Sequence, residues 1–307
     1  MNWLIITGKK DKRHTDALTS FFDTKKVNYT ILKADTRKFT ACHESSFKNF
    51  KELHGKIDEA THCICLDTSD IPLSPLFMYA AGLFAGKKIP VFLVPGAGNI
   101  PDFIVGETGT LVSDVDDLLE TLKKDFPIYV KLEVQEKVRK KLFKLGIPLT
   151  PDSFSNYIAR GDENTASLFP KAGMDVSIRD SAGTPMLCIA VRCNKPALVN
   201  WLIEQGADID AASEDRGYTA LMDAVWKNNY EVAETLVKAG ARLDTVAKDG
   251  QPLMVLAAGI SNIKICRLLF ENGGDVCMKD RMGLSALDYA RVFKNQIPMD
   301  LFSSGRP

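Results

Sequence analysis

The chain has 307 residues, of which 45% are hydrophobic and 25% charged. These values are typical of soluble globular proteins, so the composition excludes a largely disordered chain and a membrane-embedded one. Lys plus Arg equals Asp plus Glu at 39 each, so the chain has no overall charge that would attract nucleic acid or an anionic membrane. We expect neither as a partner, and the length suits two domains.

The N-terminus and the cysteines indicate where the protein resides. The apolar run Trp3–Ile6 precedes the nearby cations, which is the reverse of a signal peptide. The seven cysteines are odd in number and irregular in spacing, as in a reducing compartment. We therefore expect a cytoplasmic protein. Cys63 and Cys65 alternate along an apolar run, which predicts two core thiols on one face of a strand rather than a metal site.

Five short apolar runs in the first half alternate with helical segments. The predicted strands are Leu4–Ile6, Tyr29–Leu32, Cys63–Leu66, Pro90–Val94 and Thr110–Val112. The predicted helices are Ala17–Phe22, Phe47–His54, Leu76–Phe84 and Val115–Leu122. Strands that alternate with helices form parallel sheets. The sequence therefore predicts a doubly wound α/β domain, flavodoxin-like or TIR-like, over residues 1–127.

Polar residues follow three of these strands, at the edge where such folds bind ligands. They are Thr7, Gly8 and Lys9 after the first strand, Asp67, Ser69 and Asp70 after the third, and Gly96 and Gly98 after the fourth. Glycine with lysine can hold a phosphate, although neither of the two glycine-containing loops has a Walker or dinucleotide fingerprint. A nucleotide site and ordinary turns both remain open, and no other cofactor is expected.

The segment Asp67–Val91 joins an acidic turn to an apolar helix, which ends in Gly-Lys-Lys and leads into Ile-Pro-Val. This pattern resembles the TIR-like and nucleoside deoxyribosyltransferase-like superfamily. The resemblance implies a catalytic Glu early in the helix, but residues 71–86 contain no acid and Met78 lies near the expected place. We predict no catalytic residue and no metal. Asp67 and Asp70 are the nearest carboxylates, and turn and helix-cap roles explain them.

A charged segment with regularly spaced apolar residues, Val130–Leu145, predicts a helix between the two halves. Gly146–Pro151 follows it with helix-ending residues. We predict a connecting helix and linker over residues 128–151 and a second domain over residues 152–307.

The second half is a repeat. Two series of glycines recur in phase every 33 or 34 residues. The first is Gly173, Gly206, Gly240 and Gly273, and the second is Gly183, Gly217, Gly250 and Gly283. Each glycine of the second series lies seven residues before an alanine, namely Ala190, Ala224, Ala257 or Ala290. Gly217–Ala224 resembles the Gly-x-Thr-Pro-Leu-His-x-Ala opening of ankyrin repeats, and Gly206–Asp208 resembles their close. The resemblance implies an α-solenoid of about 4–5 repeats.

The repeats depart from the ankyrin pattern in two ways. The first unit carries Pro170 in its second helix, and the last is incomplete, as capping units are atypical. The usual His of the opening is absent from every unit, being Cys188, Met222, Val255 or Asp288. We expect the hydrogen bonds that this His makes between units to be missing.

The resemblance implies that the concave side of the array binds another protein. Hairpin tips and the ends of first helices would supply the partner-binding residues Arg192, Asp215, Arg216, Tyr218, Trp226, Lys227, Lys248 and Asp249. Trp, Tyr and Arg dominate interface hot spots. Alternatively, Trp226 packs against the neighbouring unit and stabilises the stack.

Three hypotheses follow for function. The first is an interaction or scaffold protein whose α/β domain docks a second partner or senses a nucleotide without catalysis. The second is a TIR-like NAD or nucleoside glycohydrolase, or a deoxyribosyltransferase, targeted by the repeats. The third is an assembly protein that self-associates through the α/β half. The sequence fixes neither the partner nor the oligomeric state.

Overall fold

A computed structural model of the protein describes residues 1–7, 12–33, 54–66, 75–94 and 109–292. The chain forms two compact units, Met1–Glu133 and Val134–Pro307, which are described separately below. Among the residues described, no helix combines the length and the apolar character needed to cross a membrane.

The described residues of the first unit form a five-stranded sheet with the order β2-β1-β3-β4-β5. The strands are β1 (Asn2–Thr7), β2 (Asn28–Lys33), β3 (His62–Cys65), β4 (Val91–Leu93) and β5 (Gly109–Leu111). Every pair is parallel, and Ile5 lies opposite Ile31 on one side and Ile64 on the other. The five predicted strands and their parallel pairing are confirmed, with ends shifted by one or two residues.

Apolar side chains cover both faces of this sheet, as the burial of parallel strands requires. Trp3 and Ile5 face one side, where they pack with α1 (Lys12–Thr24) and the start of α3 (Val115–Lys144). Leu4 and Ile6 face the other, where they pack with the helical residues 54–59 and with α2 (Pro75–Lys87). The predicted helix Phe47–His54 lies outside the described residues, apart from His54.

Cys63 and Cys65 lie side by side in the second of these clusters. Their Sγ atoms are 3.9 Å apart, and both residues are buried among Leu4, Ile6 and Leu93. Burial raises the pKa of the Cys63 thiol well above its usual range. The two thiols occupy the core, as predicted.

The helix α3 differs from the prediction. Val115–Leu122 and Val130–Leu145 were predicted as two helices, but the chain forms a single helix through Pro127. A proline inside a helix removes one backbone hydrogen bond and does not by itself end the helix. The division between the two units falls within α3. The predicted limits at residues 127 and 151 stay predictions.

After the end of α3, the described part of the second unit consists of short helices. They are α4 (Pro151–Arg160), α5 (Glu163–Ala166), α6 (Leu168–Lys171), α7 (Met186–Arg192), α8 (Pro196–Glu204), α9 (Ala220–Trp226), α10 (Tyr230–Lys238), α11 (Leu253–Ile260), α12 (Ile263–Glu271) and α13 (Ala286–Val292). The pairs α7–α8, α9–α10 and α11–α12 are the complete units of the described array. Short antiparallel bridges before α7, α11 and α13 form hairpin tips.

Successive pairs stack into one core. The helix α9 packs between α7 and α11, and α10 between α8 and α12. The alanines predicted to permit this approach, Ala190, Ala224, Ala257 and Ala290, are fully buried in a single apolar cluster that runs from Phe154 to Ala290. A larger side chain at these positions would separate neighbouring units.

The described ends of the array are irregular, as predicted. Where later units have one second helix, the first has the two short helices α5 and α6, with Pro170 inside α6. The helix α13 opens the last unit, and residues 293–307 lie outside the described part of the chain.

Several hydrogen bonds join successive units in spite of the missing His. Cys188, at the His position, has its Sγ 3.7 Å from the carbonyl oxygens of Ala211 and Tyr218, so a weak thiol donor remains there. Between tips, the Glu214 amide donates to the Gly183 carbonyl at 3.1 Å. The expected loss of hydrogen bonding is therefore only partial.

Candidate partner-binding site

The hairpin tip before α9 is held on several sides. The Ser213 amide donates to the Tyr218 carbonyl at 2.8 Å, which closes the tip. Gly217 has φ +69°, and a Cβ there would lie 2.8 Å from the Lys248 backbone nitrogen. Only glycine fits this turn against the next unit. The Thr219 side chain accepts from the Met222 amide and so fixes the start of α9.

A buried carboxylate lies directly behind this tip. Asp223, on α9, is 0% exposed, although the equivalent positions in the neighbouring units are Ile189 and Leu256. Arg192, at the end of α7, donates from Nε to Asp223 Oδ2 at 2.7 Å. A buried charge needs such a partner because it has lost its hydration.

The same arginine also holds the tip. Its Nη1 donates to Asp215 Oδ2 at 3.0 Å, and its Nη2 donates to Ser213 Oγ at 2.8 Å and to Asp215 Oδ1 at 3.1 Å. These hydrogen bonds keep the pKa of Asp215 well below its usual range. Burial raises the pKa of Asp223, against the attraction of Arg192 and Arg216. Arg192 thus links the end of one unit to the tip and first helix of the next.

A second arginine, Arg216, approaches both carboxylates from outside. Its Nη2 lies 3.6 Å from Asp223 Oδ1, and its Nε lies 3.7 Å from Asp215 Oδ2. Both are ion-pair distances but too long for hydrogen bonds. The guanidinium lies 4.8 Å from the centre of the Tyr218 ring, within range of a cation–π interaction. We call Arg192, Asp215, Arg216 and Asp223 the ion cluster.

Trp226 lies beside the ion cluster at the end of α9. Its side chain is 51% exposed and lies edge-on to Tyr218, with ring centres 6.4 Å apart. Tyr218 itself is only 5% exposed, and its ring lies against both the Trp226 ring and the Arg216 guanidinium. A tryptophan that stabilised the stack would be buried, so the exposed half of this ring favours a role at the surface.

The remaining predicted residues flank this centre. Lys227 lines an open groove of about 500 Å³ together with Arg192, Asn194 and Asn228. Lys248 and Asp249 belong to the next tip, where the Lys248 ammonium donates to the Glu214 carbonyl and Asp249 accepts from the Gln251 amide at 3.0 Å. Arg192, Asp215, Arg216, Tyr218 and Trp226 are thus brought into direct contact, with the three others at their edge.

Sequence reasoning missed Asp223, a member of the ion cluster, and Ser213, whose hydroxyl accepts a hydrogen bond from Arg192. The signal for Asp223 was present in the sequence, because one unit has an acid where its neighbours have aliphatic residues. Ser213 gives no comparable signal.

Most of the predicted nucleotide-binding residues lie outside the described part of the chain, namely Gly8, Lys9, Asp67, Ser69, Asp70, Gly96 and Gly98. Thr7 is described: it is buried and ends β1. The strands that lead to these residues, β1, β3 and β4, are neighbours in the sheet.

Comparison with known proteins identifies the repeats. Residues 156–249 match the family model for ankyrin repeats in three copies. An ankyrin repeat-containing protein of Treponema pallidum (strain Nichols) is 29% identical over 239 residues, which are 78% of this chain and 80% of that protein. The B-cell lymphoma 3 protein homolog of Mus musculus is 29% identical over 107 residues, and the inhibitor of Bruton tyrosine kinase of Homo sapiens is 25% identical over 150 residues.

The C-terminal half therefore carries ankyrin repeats, and these similarities support a role in protein interaction. The two mammalian matches cover 35% and 48% of this chain, and only 24% and 9% of those proteins. The treponemal match covers more of the chain than Val134–Pro307 contains, so it extends into the first unit.

Proposed function

We propose that the ankyrin repeats bind another protein through a strip formed by Arg216, Trp226 and Lys227, on the concave side of the array, with Lys248 and Asp249 at its edge. The observation that carries this proposal is the half-exposed ring of Trp226, supported by the buried Tyr218. Arg192, Asp215 and Tyr218 position the strip and offer little contact area themselves.

The strip is well suited to binding because its parts are fixed before a partner arrives. The ion cluster holds the tip, and Tyr218 supports the side chains of Arg216 and Trp226. Ordering side chains at an interface costs free energy, and a rigid surface avoids that cost. Trp and Arg are also the residue types most often found at hot spots.

The test compares two tryptophan variants of the full chain in a pull-down with mass spectrometry, followed by affinity measurement with the captured partner. We expect Trp226→Ala to weaken binding by about 2 kcal/mol or more with little change in melting temperature. The control is Trp201→Ala, because Trp201 packs against the repeat core and its loss should lower the melting temperature. A folded Trp226→Ala variant that binds undiminished would remove this strip from the interface.

For the first unit we propose docking or nucleotide sensing without catalysis, within a doubly wound fold. The strand order and the two covered faces of the sheet support this proposal. The order reverses between β1 and β3, where such folds bind ligands, and the predicted loops follow β1, β3 and β4. Residues 71–86 contain no carboxylate for glycosidic chemistry. A cytoplasmic location is part of the same proposal and rests on the odd number of cysteines.

A further inference from the structure

Two arginines reach the same two carboxylates, but they use their donors differently. Arg192 donates four hydrogen bonds within the protein, to Ser213, Asp215 and Asp223. The guanidinium of Arg216 donates none among the described residues, because its closest approaches are 3.6 and 3.7 Å. Arg192 is therefore a structural residue, whereas the guanidinium donors of Arg216 are not used in hydrogen bonds within the described part of the chain.

Arg216 is nevertheless held in place. Its backbone amide donates to Asp215 Oδ1 at 2.7 Å, and its carbonyl accepts from the Lys248 amide at 2.9 Å. Its guanidinium lies over Tyr218, and the side chain is 42% exposed. A partner that covers Trp226 also covers this guanidinium and displaces its water. Such a partner must supply hydrogen-bond acceptors, since unpaired buried donors weaken binding.

A carboxylate is the acceptor that fits best. Guanidinium and carboxylate form two parallel charge-assisted hydrogen bonds, which neutral acceptors cannot match. The two positive and two negative charges of the ion cluster cancel, so the cluster as a whole does not repel an acid.

A cationic side chain of a partner cannot reach Asp223. Asp223 Oδ1 accepts no hydrogen bond from the described residues, but it is completely buried and Arg216 lies 3.6 Å from it. A cation would first have to displace Arg216 from both carboxylates and from Tyr218.

We infer that the partner presents an Asp or Glu side chain to Arg216 and an adjacent apolar side chain to Trp226, so that the strip recognises an acidic segment of a protein. This inference rests on the proposed function, because it names the chemistry of the partner at the same strip.

The test begins with a phage-displayed library of short random peptides selected on the immobilised full chain. We expect the selected peptides to share an acidic residue next to an aromatic or aliphatic one. A synthetic copy of one such peptide is then compared with its amide version, in which Asp or Glu becomes Asn or Gln. The acidic peptide should bind about tenfold more tightly, which corresponds to one charge-assisted hydrogen-bonded pair.

The matched variants are Arg216→Gln and Arg242→Gln. Arg242 is an exposed arginine paired with Asp244 in the same unit, so its replacement is the same chemical change away from the strip. Arg216→Gln should lose the tenfold preference and bind both peptides alike, while Arg242→Gln should keep it. Arg216→Lys should keep only part of the preference for the acidic peptide, because lysine retains the positive charge without the planar pair of donors.

Other outcomes overturn the inference in different ways. Selection of basic peptides, or an acidic preference that survives Arg216→Gln, would show that Arg216 does not read a carboxylate. Neutral peptides that lose binding in Trp226→Ala would overturn the inference and leave the proposed function intact. Peptides that bind Trp226→Ala undiminished would contradict both. A library without binders contradicts recognition of a short segment, and the pull-down then decides the proposed function separately.

Discussion

Replacing Arg192 with Met tests whether the ion cluster holds the repeats together. The change removes the hydrogen bond of 2.7 Å to Asp223 Oδ2 and the nearest cation to a fully buried carboxylate. Removal of one partner of a buried pair costs about 3–5 kcal/mol, because the other charge stays buried without compensation. We expect the lower end, about 3 kcal/mol, because Arg216 still lies 3.6 Å from Asp223 Oδ1.

The pH dependence identifies the cause of this loss. Burial raises the pKa of Asp223 above that of an unfolded Asp, so its protonation stabilises the folded state as the pH falls. Without Arg192, which lowers this pKa, it should rise further. The stability difference between wild type and Arg192→Met should therefore shrink on acidification. The opposite trend would mean that lost packing, and not the buried charge, destabilises the variant.

The assay is urea denaturation followed by circular dichroism, with hydrogen exchange to locate the loosened helices. Exchange should rise first in α7 and α9, which carry Arg192 and Asp223. The double variant Arg192→Met/Asp223→Leu removes the unpaired charge and should be more stable than the single variant. If the double variant is the less stable of the two, the reasoning about desolvation is refuted.

Three further predictions concern the first unit and the boundary. Burial lowers the pKa of His62 from an ordinary 6.5 to about 4. The first unit should therefore lose up to about 3 kcal/mol of its free energy of unfolding as the pH falls from 6.5 to 4. The variant His62→Phe should abolish that loss, as measured by urea denaturation at each pH. Fragments 1–145 and 146–307 should each retain secondary structure by circular dichroism, and two disordered fragments would contradict separate cores. Turnover of NAD or nucleosides should stay at background, and calorimetry with a nucleotide panel distinguishes nucleotide sensing from docking alone; turnover abolished by Asp67→Ala or Asp70→Ala would reverse the non-catalytic proposal.

The parts of the fold that the sequence predicted well are those set by backbone geometry. The repeat was visible because its glycines adopt positive φ angles at fixed intervals and its alanines allow close helix packing. The strands were visible because parallel strands buried on both faces are continuous apolar runs. Both signals are local and need no knowledge of which side chains meet.

The ion cluster lacked such a signal. Arg192 lies 23 residues from Asp215 and 31 from Asp223, so their pairing depends on how two units stack. The sequence assigned both Arg192 and Arg216 to the predicted partner-binding residues but could not show that only Arg192 uses its donors within the protein. That difference depends on side-chain rotamers and on distances of a few tenths of an ångström.

In the hairpin tip before α9, the next unit constrains two adjacent residues, Arg216 and Gly217, in different ways. At Gly217 the next unit leaves no room for a side chain, whereas at Arg216 it holds only the backbone, through the Lys248 amide. Substitution at position 217 therefore alters the scaffold, while substitution at position 216 leaves these backbone hydrogen bonds available. If the proposed function holds, substitution at position 216 would change partner preference while the backbone hydrogen bonds between the two units stay in place.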